Sequence, residues 1–554
     1  MRHKILIFLF ICCLGDAVVI GQMTERLYMQ TDKQLYLSGE LLWLKLYTTD
    51  SGGRLMDCSK IGYVELVHDS IPEVQVKVDI RDGVGAGWME LPALLPTGYY
   101  RMIAYTRFMR NDGEHVFFEK MIAIVNLFHP NNEACADETN CSFSYRPVEN
   151  RSPALELSLD KSTYSSRDKG ELRIKGLPAE NMSLGISIAG IDPVLAESAA
   201  IDALKKRLTA DKTSSGSERY LPEYEGAIID GVLIDLETGA PSGDQVITLL
   251  SFPGQDVQLF AGQTSATGDV AFYTQCVTGK QELTTTALAS SDKKYRVDIQ
   301  PPYAIHTPVN LPPFSPDSSW MDYLTTRYLS LQVAQIYTAD SLSKIKEIAL
   351  CSDFRPQTRY VLDDWKRFPA MRDLFVEFIT SARISRTNEG SRFSLWNPVD
   401  NGYSTNILVL LDNIPVANHE LMTNYNPLLV KTIDLYAGRY IFGSHRFDGI
   451  ISFATYKNDY PGIKFGETTQ IYDYEGTQPY RYFYTPNYDA TAISTPVPDF
   501  RHTLLWEPFV QSVRQNELTI PFTTSDLPGI YVISIEGIGD NGTMIQVKHT
   551  FRVD

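Results

Sequence analysis

The sequence predicts a mainly β protein: serial β-sandwiches with one small α+β unit late in the chain. Three observations lead there. The composition favours strands, with 31 Tyr and 25 Phe among 554 residues, because aromatic and β-branched side chains fit a half-buried pleated surface. Period-2 alternation recurs, as in "VQVKVDI", which puts Val74, Val76, Val78 and Ile80 on one face and Gln75, Lys77 and Asp79 on the other. Helical spacing, by contrast, is confined to residues after 319.

The first residues are a separate object. Arg2, His3 and Lys4 precede the apolar run Ile5–Leu14, and Val19 and Gly21 stand at the small-residue positions of a cleavage site. That is the pattern of a signal peptide over residues 1–21, with the mature chain starting at Gln22. The apolar run is too short for a membrane helix. Ile11 is large where acylation of Cys12 would want a small residue, which weighs against a lipoprotein. The expectation is an exported chain without an integral membrane span, periplasmic or associated with the outer membrane, the cell surface remaining open. A net charge of −17 argues against a nucleic-acid partner, since phosphate binding needs a basic surface.

The length fits three to five domains. Residues 22–130 read as a β-sandwich: "LLWLKLY" from Leu41 is apolar on both faces, as in a central strand, and "SGG" (51–53) and "RNDG" (110–113) mark turns. Residues 150–221 read as a second copy, because "TDKQLYLSGELLWLK" from Thr31 and "LDKSTYSSRDKGELRIK" from Leu159 share Asp-Lys-x-x-Tyr, a turn and a strand. A fainter echo joins "LLPTGYYRMIAYTRF" from Leu94 to "DLPGIYVISIEGIGD" from Asp526. Residues 222–300 form another β-module, and 301–350 a Pro-rich linker and helix, with Trp320, Tyr323, Leu324, Tyr328 and Leu331 at helical spacing. In 351–457, "FPAMRDLFVEFITSA" puts Met371, Leu374, Phe375, Phe378, Ile379 and Ala382 on one helical stripe, followed by short strands. Residues 458–554 read as a separate C-terminal β-sandwich-like region.

Residues Tyr28, Thr31, Asp32, Lys33, Tyr36, Gly39, Glu40 and Lys45 follow "Tyr-x-x-Thr-Asp-Lys-x-x-Tyr-x-x-Gly-Glu-x-x-x-x-Lys", which resembles the second macroglobulin-type domain of the α2-macroglobulin superfamily. The resemblance implies serial immunoglobulin-like or macroglobulin-like β-sandwiches, in which these residues are structural. "GVLIDLETGAP" and "TGDVAF" resemble the carboxypeptidase regulatory-like β-sandwich, which implies a spacer. The helix from Met371, "LVLLDNIPV", "NPLLVKTIDLYAGRY" and "IFGSHRFDGIISFAT" resemble a TonB-dependent receptor plug, so the α+β unit is expected to be plug-like. Asn413 stands where that family has Gly, which a turn accepts because Asn adopts positive φ. A receptor barrel needs roughly 22 strands of about ten residues. The 97 residues after Lys457 (554 − 457) cannot supply it, so no transport is expected of this stretch. The module order resembles modular envelope proteins of Bacteroidota.

No His-Glu-x-x-His, Gly-x-Ser-x-Gly or phosphate-loop pattern occurs, and the Cys-Gly-Glu-Gln of a macroglobulin thioester is missing. The expectation is a non-enzymatic protein with no catalytic residue, metal or cofactor. Asp363-Asp364 reads as a solvated turn or helix start. His445 and Arg446, with Asp412 and Asn413, are the candidate interaction residues, although the first two read more readily as a polar turn between two strands. Five cysteines follow the signal peptide, and Cys135 and Cys141 could close a small ring or stay free. Ser70 and Ser341, in "DSI" and "DSL", match a short bacterial O-glycosylation pattern.

The functional expectation is a binding or scaffolding accessory to outer-membrane nutrient uptake, with a protein partner such as a TonB-dependent transporter, and contacts at exposed strand edges. Alternatives are a non-covalent macroglobulin-like protease inhibitor or protease-binding protein, favoured if 204–222 is readily cleaved, and a hydrolase with an unrecognised site.

Overall fold

A computed structural model of the chain describes residues 24–129, 155–191, 219–338, 355–488, 498–512 and 517–554, less positions 179, 255–256, 276, 289–292, 310, 312–313, 315, 317, 388–389, 444 and 487. The signal peptide, Cys12, Cys135, Cys141, Ser341 and residues 204–218 lie outside them.

The first sandwich holds β1 (Arg26–Thr31), β2 (Leu35–Leu37), β3 (Leu41–Thr49), β4 (Ile61–His68), β5 (Ile71–Arg81), β6 (Val84–Glu90), β7 (Gly98–Tyr105) and β8 (Phe118–Val125). Their order is β1-β3-β6-β5-β4-β7-β8-β2, and the β5–β6 hairpin links the two layers. Leu42, Leu44 and Leu46 of β3 join the core of this sandwich. The alternate residues Lys45 and Tyr47 reach the second sandwich, at Ser183 and Glu536. That is why β3 is apolar or buried on both faces.

The chain then lays down β9 (Glu156–Leu159), β10 (Thr163–Tyr164), β11 (Lys169–Lys175) and β12 (Met182–Gly190). A central module follows: β13 (Ile228–Asp235), β14 (Ile247–Ser251), β15 (Leu259–Gln263), β16 (Asp269–Tyr273), β17 (Lys280–Leu288) and β18 (Tyr295–Ile299). The α+β unit holds β19 (Thr358–Val361), β20 (Ala382–Thr387), β21 (Gly390–Asn397), β22 (Gly402–Ser404), β23 (Leu408–Leu411), β24 (Ile414–Pro415), β25 (Val430–Phe442) and β26 (His445–Thr455), with short helices Met371–Glu377 and His419–Thr423. β27 (Thr469–Glu475) returns to complete the central sheet β15-β14-β17-β27. Last come β28 (Thr503–Ser512), β29 (Glu517–Thr523), β30 (Gly529–Gly539) and β31 (Met544–Val553).

These last strands are not a separate region. They pair with β10, β11 and β12, in sheets β10-β31-β30-β12-β28 and β29-β11-β9. Strand for strand, this repeats the first sandwich: β12 pairs β28 and β30 as β4 pairs β5 and β7, and β11 pairs β29 and β9 as β3 pairs β6 and β1. β10 runs parallel to the final β31, as β2 does to β8. The repeated motifs sit alike. Asp32 Oδ1 accepts from Tyr36 Oη (2.8 Å) and Trp43 N (3.1 Å), and Asp160 Oδ1 from Tyr164 Oη (2.7 Å) and Glu171 N (2.7 Å). The fainter echo is a tyrosine corner in each copy: Tyr100 Oη donates to Pro96 O (2.8 Å) and Tyr531 Oη to Leu527 O (2.9 Å). Where β4 meets β5 through the turn at Asp69–Ser70, β12 and β28 are 312 residues apart (503 − 190 − 1). The central module and the α+β unit are thus inserted at a hairpin tip, the kind of place where insertions disturb fewest contacts.

Two further expectations are corrected. Residues 301–338 are no free linker: Phe314 and Leu324 pack on Leu35, Leu37, Tyr99 and Val125 of the first sandwich, and Arg327 from the helix Met321–Thr338 meets Glu40 at 3.2 Å. The helix from Met371 ends at Glu377, where Phe378 N and Ile379 N both donate to Leu374 O, and Ala382 starts β20. Ile379 still reaches the unit's core, but from the turn after the helix.

Candidate binding cleft

The singled-out residues that the structure describes each have a place. Asp412 and Asn413 (φ 47° and 71°) make the tight turn between β23 and β24. Both are buried. Asp412 accepts from Thr455 N (2.6 Å), Thr455 Oγ1 (2.7 Å) and Tyr460 N (2.7 Å), and Asn413 Nδ2 donates to Phe252 O (2.7 Å). This turn clamps the α+β unit onto the central module. His445 and Arg446 start β26 on an exposed hairpin end, Arg446 Nη2 lying 2.7 Å from Asp448. Ser70 lies half-buried at the β4–β5 turn. None of them lies in a common site.

A concavity lies elsewhere, where the two sandwiches and the central module meet. It is a cleft of about 1160 Å³. The first sandwich contributes Asp79, Asp82 and Ala86, the second Ser183 of β12 with Trp506, Glu507 and Phe509 of β28, and the central module Glu225 and the strap after β27. The strap is fixed by main-chain geometry. Gln478 N donates to Lys77 O (2.7 Å), Gln478 Nε2 to Trp88 O (2.7 Å), and Trp88 N to Gln478 Oε1 (3.1 Å). Gly87 permits the approach, since a Cβ there would stand 2.7 Å from Val78 and 3.1 Å from Gln478 Oε1. Beyond it the rings interlock: Phe483 meets Trp43 edge-on at 5.5 Å, and Tyr480 lies 5.6 Å from Phe509. Tyr482 and Phe509 remain 49 % and 39 % exposed.

The polar side of the cleft is predominantly acidic. Its acids are Asp79, Asp82, Glu225, Glu507 and Asp540, and its bases are Lys60 and Arg81. Both bases are already engaged, Lys60 by Asp57 and Arg81 by Asp79. Among the described residues no cation lies within ion-pair distance of Asp82 or Glu507. Desolvation by the cleft walls holds the Glu507 carboxyl above its usual range, and burial, then the charge of Glu507, push the Tyr480 hydroxyl up to about 12. Trp506 is 2 % exposed, and among the described residues its indole N–H has no hydrogen-bond partner. A buried donor is rarely left so, because the missing bond costs about 1–3 kcal/mol.

A second polar seam joins the first sandwich to residues 300–307. His306, buried, has Nε2 2.9 Å from Glu65 Oε1 and Nδ1 3.2 Å from Glu114 Oε1. Burial disfavours the charged ring, but the two carboxylates outweigh it and raise the imidazole above its usual pKa. Sequence reading flagged none of these groups. The signal was there in "TQPYRYFY" and "LLWEPF", aromatics alternating with charges, but it does not say that the two stretches meet.

Among the described residues no helix is long and apolar enough to cross a membrane, and no group of three or more His, Cys, Asp or Glu is placed to hold a metal. No family model and no curated protein matches the sequence. Solved structures similar to it include a mutant of Salmonella alpha-2-macroglobulin, at 9 % identity and a TM-score of 0.25, covering 96 % of this chain and 39 % of that one. Another is Escherichia coli alpha-2-macroglobulin activated by porcine elastase, at 9 % identity and 0.25, covering 96 % and 44 %. The E. coli adhesin FdeC matches at 10 % identity and 0.16, covering 50 % and 64 %. This chain therefore spans less than half of the two alpha-2-macroglobulin chains.

Proposed function

We propose that the protein is a non-enzymatic, exported binding protein that holds a partner protein in the cleft between its three β-modules. The observation that carries this reading is the unpaired indole N–H of Trp506 on the wall of a cleft with exposed aromatic faces. Large apolar side chains with a few unsatisfied polar groups are what a recognition surface offers. The modules around it act as a frame. The test is a gentle-detergent pull-down from native envelopes with the tagged chain and with the variant Tyr482→Ala/Phe509→Ala. Both side chains are partly solvent-exposed, so the frame should survive their truncation. A partner retained by the parent and lost by the variant supports the reading; an unchanged set of partners removes it. A TonB-dependent transporter as that partner is the finer form of the proposal, and the identity of the recovered chain decides it.

A second reading makes the partner a protease. It is favoured by the stretch 204–222, which carries Lys205, Lys206, Arg207, Lys212 and Arg219 between β12 and β13, and whose described end exposes Arg219 and Leu221. Brief trypsin treatment should then cut first within 204–222, with trypsin co-eluting on gel filtration. First cuts elsewhere, or no retained trypsin, would discard it.

A further inference from the structure

Resting on the cleft reading above, we infer that the segment the cleft takes is an extended stretch of polypeptide bearing basic side chains. The argument starts from charge. The bases lining the cleft are already engaged by acids, whereas Asp82 and Glu507 face it with no cation at ion-pair distance among the described residues. Glu507 adjoins Tyr480 and Phe509, so a guanidinium or ammonium seated there meets a carboxylate and aromatic faces together. An acidic ligand would meet only repulsion.

The second step concerns the backbone. β28 is the last strand of its sheet, and among the described residues it forms a ladder with β12 alone. Ten residues long, it runs beside the cleft with Glu507, Phe509 and Gln511 among the lining residues. The buried Trp506 N–H supplies a donor for one main-chain carbonyl. Extended peptide rises about 3.3 Å per residue, so eight residues span about 26 Å, comparable to the strand. Pro508, placed at the register shift of β28, removes one main-chain donor, so an incoming strand cannot pair along the whole edge. Selection is left to side chains, and the side chains select for positive charge.

The probe is a fluorescein-labelled octapeptide alternating Arg and Leu, with an otherwise identical Glu-Leu peptide and a labelled maltohexaose, titrated by anisotropy into the full chain. Because the whole protein is acidic, the variants are matched in charge: Asp82→Asn/Glu507→Gln within the cleft, Glu156→Gln/Glu171→Gln on the far sheet of the second sandwich. The expected result is binding of the Arg-Leu peptide alone, weakened at least tenfold by the cleft pair and unchanged by the distant pair. Equal loss from both pairs would reduce the effect to net charge and overturn the inference. So would equal binding of the Glu-Leu peptide, preference for maltohexaose, or no binding. The two proposals fail separately: if the partner in the pull-down still depends on Tyr482 and Phe509 while the Arg-Leu peptide fails, the cleft remains the docking site and only its charge preference is wrong.

Discussion

Replacing His306 by Ala should loosen the seam between the first sandwich and residues 300–307, and the loss should depend on pH. Both ring nitrogens face carboxylate oxygens, at 2.9 Å and 3.2 Å. Only the doubly protonated ring can donate to both. Removing it leaves Glu65 buried, held by Tyr105 Oη (2.6 Å) and Gln75 Nε2 (2.7 Å) alone, while Glu114 keeps Thr307 N (3.0 Å) and Arg101 (3.4 Å). Two charge-assisted bonds, one to a fully buried carboxylate, correspond to about 3 kcal/mol at pH 6. The folded pKa of His306 lies above its unfolded value. Its contribution is therefore complete below about pH 6.5 and is lost as the pH rises through the folded value. Above the folded value the neutral ring donates to one carboxylate only, so the variant should then cost about 1–2 kcal/mol. In a chain of several modules a single melting midpoint mixes their transitions, so the assay is amide hydrogen exchange. Ala304 N and Thr307 N, bonded to Tyr105 Oη and Glu114, are the reporters. A loss of protection that stays constant or grows as the pH is raised from 6 through the ring's titration in the folded protein would refute the imidazolium clamp.

Asp412→Ala should destabilise the α+β unit by about 3–4 kcal/mol, read from exchange in 408–411 and 450–455, because it strips three acceptor contacts and leaves buried donors unpaired. Asp412→Asn, compatible with positive φ, should cost about half as much; equal costs would contradict this. Lys45→Met should leave the protein as stable or about 1–2 kcal/mol more stable at pH 7. Lys45 is fully buried with Ser183 Oγ at 2.9 Å, and desolvation holds its pKa well below normal, so below the unfolded value folding works against its proton. The gain should shrink towards pH 10; a loss above 2 kcal/mol would show instead that Lys45 is an important structural contact.

Much of the fold was legible, because the turn chemistry and strand patterns of the motifs are local. The Asp-Lys-x-x-Tyr echo and the Pro-Gly turn leading into a tyrosine corner each mark one end of a sandwich. Tyr100 follows Asp32 by 68 positions, but Tyr531 follows Asp160 by 371, and setting those spacings side by side points to an interrupted copy. Strand pattern alone cannot do this, since a period-2 segment says which face is buried and not which distant strand lies beside it. The alternation in "VQVKVDI" misleads for a related reason. Lys77, on its polar face, is buried against Tyr474 Oη (3.0 Å) and Glu475 O (2.8 Å) of the central module, because module interfaces bury polar faces too. The turn at Asp412–Asn413 was recognisable from residue type, but its burial depends on the loop at 252–258. The cleft was hidden because its walls come from three modules.

The most direct measurement is zero-length carbodiimide cross-linking of the intact chain, followed by mass spectrometry. Lys175 of β11 and Glu517 of β29 lie 342 positions apart in sequence, and Lys175 Nζ stands 3.6 Å from Glu517 Oε1. One sandwich made from two distant segments predicts an isopeptide between them, lost in Lys175→Arg. A separate C-terminal region predicts none, with Glu517 coupling only to lysines within 458–554. That result would contradict the interrupted sandwich and, with it, the cleft that its β28 helps to build.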